Sequence, residues 1–340
     1  VELRIAVWQA PRIDICLTAE HTGRMVRETF TKINAVLDTF MPLITPLGVA
    51  AGFIFAGSLL PLKPLVTYFF AYVTLMGALG LNAGDFKKAL SRPLPLAAIF
   101  LCAHVLVPGV TALAARLCFP GKPDILSGYV LLMAIPTAVA GYIWTSIYHG
   151  DEAVTLTMIL IDTLLAPVVT PLTVRIFANS ALRIDTTGMI ISLLLMVVIP
   201  SVAGVTANQI SHNRMRVFVT PIGKPFSKIA LFAVIAVNTA QVADKVSFSF
   251  TLLPIFALNA ALAFLGFLSG ALIAKLLRAD RRIQVSMTFA CGMRNISAAL
   301  VLAINFFPPE SALPVVIGIV LQQTLAAFSG WVFFRKNTQP

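Results

Sequence analysis

The chain has 340 residues, of which 58% are hydrophobic and only 11% charged. A soluble domain averages about 45–50% apolar and about 25% charged residues, so water cannot be the solvent for most of this surface, and an all-α polytopic membrane protein is expected. The net charge of +11 then belongs to loops held in the cytoplasm and gives no reason to invoke nucleic acid.

Residues 1–32 mix Arg4, Arg12, Arg24, Arg27 and Lys32 with Glu2, Asp14, Glu20 and Glu28 and contain no long apolar run. They lack the continuous apolar core of a secretory signal. They are expected to form a cytoplasmic tail, or to include a mis-called start ahead of Met25. A membrane domain follows over 33–336. About 20 residues are needed to cross the hydrocarbon, and stretches of that kind fall at 37–60, 66–83, 94–117, 127–148, 152–178, 187–210, 225–243, 249–277, 283–306 and 310–334. Ten helices are therefore expected. The fourth is interrupted by Pro136, Gly141 and Gly150, and the ninth by Gly292, Arg294 and Asn295.

With ten helices both termini share a side. That side collects the N-terminal segment, Lys87/Lys88/Arg92, Arg214/Arg216/Lys224/Lys228, Lys275/Arg278/Arg281/Arg282 and Arg335/Lys336, 18 basic residues in all. The other side holds six: Lys63, Arg116, Lys122, Arg175, Arg183 and Lys245. Basic loops stay inside, so the termini are expected in the cytoplasm and the chain in the inner (plasma) membrane. Ala112–Leu117 ends the third stretch and the similar Ala271–Leu276 ends the eighth, 159 residues later. About the same offset carries the break at Pro136 onto that at Asn295. Five helices separate the copies, so two inverted repeats are expected, 37–178 and 187–334. Inverted repeats with matched broken helices point to a secondary transporter.

A helix broken at mid-membrane frees backbone groups that lipid cannot satisfy, so the break must be buried or line a wet cavity. Half-helix ends there supply partial charges for an ion and an anionic substrate; Gly and Pro that merely kink packed helices are the plainer explanation. Two ionisable residues lie half-way along a stretch, Asp162 and Arg294. Such groups are functional candidates by default, although a mutual salt bridge that simply locks two helices would also lower the cost of each. His104 is a third candidate, as a proton carrier or as a hydrogen-bonded packing residue. Tyr142 and Trp144 either line a cavity or pack. His149, Asp151 and Glu152 form a hinge between the fourth and fifth stretches. Asn238, Gln241, Asn259, Gln322 and Gln323 are buried-polar candidates without a pattern. Cys16, Cys102, Cys118 and Cys291 show no ligand spacing, and neither a metal nor a cofactor is expected. No GxSxG, HExxH, paired-Asp or Walker motif is present, so an enzyme or an ATP-driven pump is not expected.

At these residues the chain resembles the bile acid:sodium symporter family. Leu75-Met76-Gly77, Leu81 and Asp85-Phe86 look like the family's Leu-Met-Gly-x-x-Leu-x-x-x-Asp-Phe, with one or two positions adjusted. Pro136 to Gly150 keeps the spacing of Pro-Gly-Gly-x-x-Ser-Asn. Thr163-Leu164-Leu165-Ala166-Pro167 and Thr170-Pro171 match Ser-Thr-Leu-x-x-Pro-x-x-Thr-Pro. Cys291-Gly292-Met293-Arg294-Asn295 matches Glu-x-Gly-Met-Gln-Asn from its second position. The resemblance implies two inverted five-helix repeats, a core with crossing broken helices four and nine, and a panel of helices one, two, six and seven. It also implies sodium ligands at positions that here hold Gly141, Tyr142, Ile159, Ala103, Ala290 and Arg294, with Thr155 near a serine position and Asn295 retained for substrate contact.

The expectation is a secondary transporter of a small organic anion in the lipid bilayer. Sodium is not expected to drive it, because Arg294 stands where a sodium would bind; uniport, exchange or proton coupling stay open. A non-transporting sensor or scaffold that kept the fold is the alternative.

Overall fold

The computed structural model describes residues 40–80, 93–178, 185–241 and 252–334, together with 25, 27–34, 36–37, 91 and 243. Residues 1–24, Leu81, Asp85, Phe86, Lys87, Lys88, Arg92, Arg183, Lys245, Arg335 and Lys336 lie outside the described set. Among the described residues the architecture is helical: α1 Met41–Ile54, α2 Ala56–Ala78, α3 Pro93–Cys118, α4 Pro123–Ala134, α5 Ala140–Ile147, α6 Glu152–Phe177, α7 Thr186–Ile210, α8 Arg214–Ala240, α9 Leu253–Leu276, α10 Arg281–Gly292, α11 Ile296–Phe306 and α12 Pro309–Phe334. Seven of these, α2, α3, α6, α7, α8, α9 and α12, are long and apolar enough to cross a membrane, and α4 and α11 are shorter apolar helices. Leu117, Val168, Leu172, Ile210 and Leu276 are among the many large apolar side chains left exposed. That outer surface suits lipid, and the protein is a multi-pass membrane protein.

Short polar residues set several helix starts. Asp151 accepts from Val154 N at 3.2 Å, Asp185 from Gly188 N at 2.9 Å and Asp280 from Ile283 N at 3.0 Å. Each fills one of the four donors a helix start leaves unpaired. The stretches expected at 37–60 and 66–83 meet differently from the hydropathy boundary. The turn comes at Phe55, and Leu60–Leu65 runs as a 3-10 segment into the second helix. Pro61 fits the start of this segment, where no donor is needed, and Pro64 lies inside it, where its missing N–H leaves one helical bond unmade. Residues 27–34 are helical and lie on α8, with the Phe30 and Phe226 rings 5.9 Å apart and Lys228 Nζ donating to Asn34 Oδ1 at 2.8 Å.

The helices pack in two groups. In one, α8 lies on α1 and α2, and α7 lies on α2; it contains the segments expected as helices one, two, six and seven. Gly52 lets α1 and α8 meet, because a Cβ there would sit 2.6 Å from the Ala236 carbonyl oxygen. In the other group α9 packs on α10 and α12, and α4 packs on α3, α6 and α12.

The expected interruptions at Pro136 and at Gly292–Asn295 are present, whereas Gly141 does not break the chain and lies inside α5. The helix of α4 stops where Ile135, preceding Pro136, turns extended, as the proline ring demands of its predecessor. After α10 the chain is extended at Met293 and restarts at Asn295, which caps α11 by accepting from Ala298 N at 3.4 Å. The two extended segments pair. Thr137 and Arg294 form an antiparallel bridge, with Ala138 N donating to Met293 O at 3.0 Å and Asn295 N to Pro136 O at 2.8 Å.

Gly292 ends α10 with the Phe267 ring lying where a Cβ would go. Gly292→Val is expected to lower the thermal midpoint of the solubilised protein, at a cost of about 1–3 kcal/mol for overpacking. Adding Phe267→Leu should recover part of that loss, a coupling read from the two single variants and the double.

Candidate ion and substrate site

The site is built where the two breaks cross, and its chemistry begins with a proline in α3. Pro108 has no N–H, and the preceding turn Cys102–Leu106 widens to a π-helix in which Val107 N–H reaches Cys102 O. In that pattern the donor for Ala103 O would be residue 108, so the carbonyl of Ala103 is left without a helical partner. Ile135 O is freed in the same way by the break at Pro136. The guanidinium of Arg294 takes both: Nη2 donates to Ala103 O at 3.0 Å, and Nη1 reaches Ile135 O at 3.5 Å, the weaker limb. Arg294 is 2% exposed, and its Nε is left without a partner.

The bridge residues have their own N–H groups capped by side chains from two other helices. Thr137 N donates to Asp162 Oδ2 of α6 at 2.7 Å, and Arg294 N donates to Gln322 Oε1 of α12 at 2.8 Å. Asp162, fully buried, is the busier acceptor. Its Oδ2 also takes the Thr137 hydroxyl at 2.7 Å, and its Oδ1 faces His104 Nε2 at 2.5 Å. His104 comes from the π turn of α3 and packs against Phe100, ring centroids 4.8 Å apart, with Nδ1 left unpaired. Hydrogen-bond partners of this kind are what a mid-membrane carboxylate requires.

The sequence offers Asp162 as the charge partner of Arg294. In the structure His104 and Thr137 hold Asp162 instead, and among the described residues no carboxylate lies within 4.0 Å of Arg294. The two charges still balance within one buried cluster, but carbonyl groups meet the guanidinium directly. The reason is local: the prolines supply Arg294 with acceptors that residue counting along a helix does not reveal.

The expected site residues separate into two places. Arg294, Asn295, Asp162, His104, Ala103 and Ala290 meet at the crossing, Ala290 through its carbonyl, which accepts from Thr137 Oγ1 at 3.2 Å. Tyr142 and Thr155 belong to α5 and its contact with α6, while Gly141 of α5 faces Met293 and the Phe289 carbonyl at the second break. Thr145 Oγ1 donates to Gly141 O at 2.9 Å and lies 3.1 Å from Thr155 Oγ1, while Tyr142 OH donates to Glu152 Oε2 at 2.8 Å. Ser146 Oγ donates to the other oxygen of Glu152 at 2.7 Å. Ile159 is a buried apolar residue. Thr137 and the pairing of Gln322 with Arg294 N escape sequence reasoning, although a polar residue directly after Pro136 is the signal that points to Thr137.

A break pair of this construction belongs to transporters, and comparison with known proteins agrees. Residues 67–249 match the Sodium Bile acid symporter family. The Bacillus subtilis protein YbaS, itself described as uncharacterized, is 37% identical over 303 residues, covering 88% of this chain and 98% of that protein. YocS of the same organism, described as an uncharacterized sodium-dependent transporter, is 28% identical over 77% of this chain and 81% of its own length. The probable sodium/metabolite cotransporter BASS1 of Arabidopsis thaliana chloroplasts is 25% identical over 89% of this chain and 75% of its own. The chain belongs to the Sodium Bile acid symporter family and is a membrane transporter.

Removing Asp162 as Asp162→Ala should cost about 3–5 kcal/mol, the usual penalty for breaking a buried pair. Thermal unfolding of single and double variants should give a larger coupling between His104 and Asp162 than between Arg294 and Asp162.

Proposed function

We propose that the chain carries a small organic anion across the inner (plasma) membrane without sodium, and that Arg294 serves as a built-in cation in place of a bound one. The observation that carries this reading is the guanidinium on the Ala103 and Ile135 carbonyls. Carbonyl oxygens are the ligands a sodium or similar hard cation seeks, and here a tethered cation already satisfies them. The residues aligned with the family's remaining sodium ligands support it too: Ala290, Ile159 and Ala103 offer no side-chain oxygen, and the Tyr142 hydroxyl is engaged by Glu152. Ten spanning helices in two inverted repeats, with both termini in the cytoplasm, are the topology that accompanies this reading, on the strength of the Lys/Arg distribution.

Asn295, partly exposed beside the cation, is the residue proposed to meet substrate. A second element favours proton coupling over plain uniport. His104 and Asp162 are a buried pair at the crossing, with one imidazole nitrogen free, and a pair of that kind is the usual equipment of a membrane proton relay.

The test begins with a thermal-stabilisation screen of organic anions on the purified chain, whose best ligand becomes the tracer for proteoliposome uptake. Uptake should be the same within about twofold when sodium is replaced by choline, since sodium has no ligand set to enter. A tenfold or greater stimulation by sodium, about 1.4 kcal/mol of linkage, overturns the reading. Arg294→Gln should abolish sodium-free uptake, and His104→Gln should remove any dependence on an imposed pH gradient while leaving exchange of labelled for unlabelled substrate.

A further inference from the structure

A basic cavity lies at the ends of α3, α4 and α6, well away from the crossing. About 460 Å³ of space is bounded there by Arg116, Lys122 and Arg175, with Phe119, Leu126 and Ile176 as apolar wall. Arg116 is in the last turn of α3, Lys122 directly precedes α4, and Arg175 is in the last turn of α6. Arg116 and Arg175 each follow a crossing residue of their own helix, Ala103 and Asp162, by thirteen positions, or about 20 Å of helix. That is the depth at which a spanning helix reaches the lipid headgroups. The three cations are half of the six that the Lys/Arg distribution assigns to the side opposite the termini.

Helix ends explain only part of this cluster. An arginine in a last turn answers the partial negative charge found there, and Arg116 Nη2 donates to Phe177 O at 3.2 Å. Lys122 has no such reason, because the start of a helix repels a cation, and α4 begins without a side-chain cap. All three side chains are exposed, and none forms an ion pair among the described residues. No carboxylate is among the residues that line the cavity. Cations gathered around one space draw an anion into it.

The surface below the cavity shows what kind of anion. Leu113 precedes Arg116 by three residues, and Leu172 precedes Arg175 by three. Each arginine therefore shares a helix face with a leucine one turn nearer mid-membrane. Leu113, Leu117, Leu172 and Ile176 are all more than half exposed. The cations thus head an apolar strip that faces lipid, for which a water-soluble anion has no use.

We propose that this cavity holds the headgroup of an anionic phospholipid, its phosphodiester among Arg116, Lys122 and Arg175 and its acyl chains along the exposed leucines of α3 and α6. Guanidinium forks match phosphate oxygens, and basic pockets between membrane helices take anionic headgroups. A zwitterionic lipid would bring a cation of its own into the cluster, whereas phosphatidylglycerol brings none. A lipid held here ties together the ends of the three helices that lead to Ala103, Ile135 and Asp162. The proposal concerns binding alone and stands apart from the transport reading.

The full chain, solubilised in a neutral detergent and stripped of lipid, is titrated with phosphatidylglycerol, phosphatidylcholine, glycerol 3-phosphate or inorganic phosphate. Thermal shift and native mass spectrometry are the readouts. Phosphatidylglycerol should bind at least about tenfold more tightly than phosphatidylcholine and raise the thermal midpoint, and the soluble phosphates should do neither at the same concentration. Lys122→Gln and Arg175→Gln remove exposed side chains without an ion-pair partner among the described residues. Each should weaken phosphatidylglycerol binding about tenfold, the loss of one bond between charged groups. Lys63→Gln, at an exposed position of α2, should leave that binding unchanged within about twofold. Equal binding of the two lipids, or an equal loss in Lys63→Gln and the cavity variants, overturns the site and leaves only diffuse attraction. Soluble phosphates that bind as tightly as phosphatidylglycerol overturn the lipid as occupant. If neither cavity variant folds, the comparison of the two lipids on the unaltered chain decides.

Discussion

The structure depends on one contact, the guanidinium of Arg294 on main-chain carbonyls that two prolines have set free. A charge at mid-membrane costs about 2.5–3.5 kcal/mol even on insertion scales, and an orphaned carbonyl in hydrocarbon is also unfavourable. Separately, neither would persist. Together they cancel, because the cation supplies the donors that Ala103 O and Ile135 O lack. Arginine suits this better than lysine, since its planar fork can address two acceptors on different helices at once.

Asp162 does the complementary work at the crossing. It collects the Thr137 N–H, the Thr137 hydroxyl and His104, and so ties α3, the α4–α5 break and α6 into one cluster. Gln322 does the same for the other break by accepting from Arg294 N. Each extended segment is thus held by a main-chain bridge to its partner and by one side chain from a neighbouring helix. The geometry of the crossing is thus held by hydrogen bonds of the chain itself.

Much of this was legible in the sequence, and the parts that were not share a cause. The two breaks are written in Pro136 and in the Gly292–Asn295 segment, and the rarity of charge in the spans singles out Asp162 and Arg294. Their wiring is not written there. Depth along a helix made the two look like partners, whereas the π turn ahead of Pro108 turned His104 toward Asp162 and gave Arg294 a carbonyl. A one-residue widening of a helix leaves no mark in hydropathy. Nor does the shift at Phe55, where Leu60–Leu65 joins the second helix, since all of those residues but Lys63 are apolar or proline. Gln322 was visible as a polar residue in an apolar span, but its partner, a main-chain N–H at a break, can be found only in three dimensions.

A tethered cation differs from a bound one in what it can contribute to transport. A sodium that binds and leaves lends the free energy of its gradient to each cycle; a guanidinium that stays lends none, because a group present equally in both states shifts nothing between them. Under the reading proposed here, Arg294 is therefore an architectural charge, and the driving force must enter elsewhere. The substrate's own gradient is one source, and a proton is the other. A proton that acts at His104 would alter the charge beside Asp162 and so the grip of Asp162 on the Thr137 N–H. That places the exchangeable proton of the proposed cycle two hydrogen bonds from the Thr137 segment, with Asp162 between them.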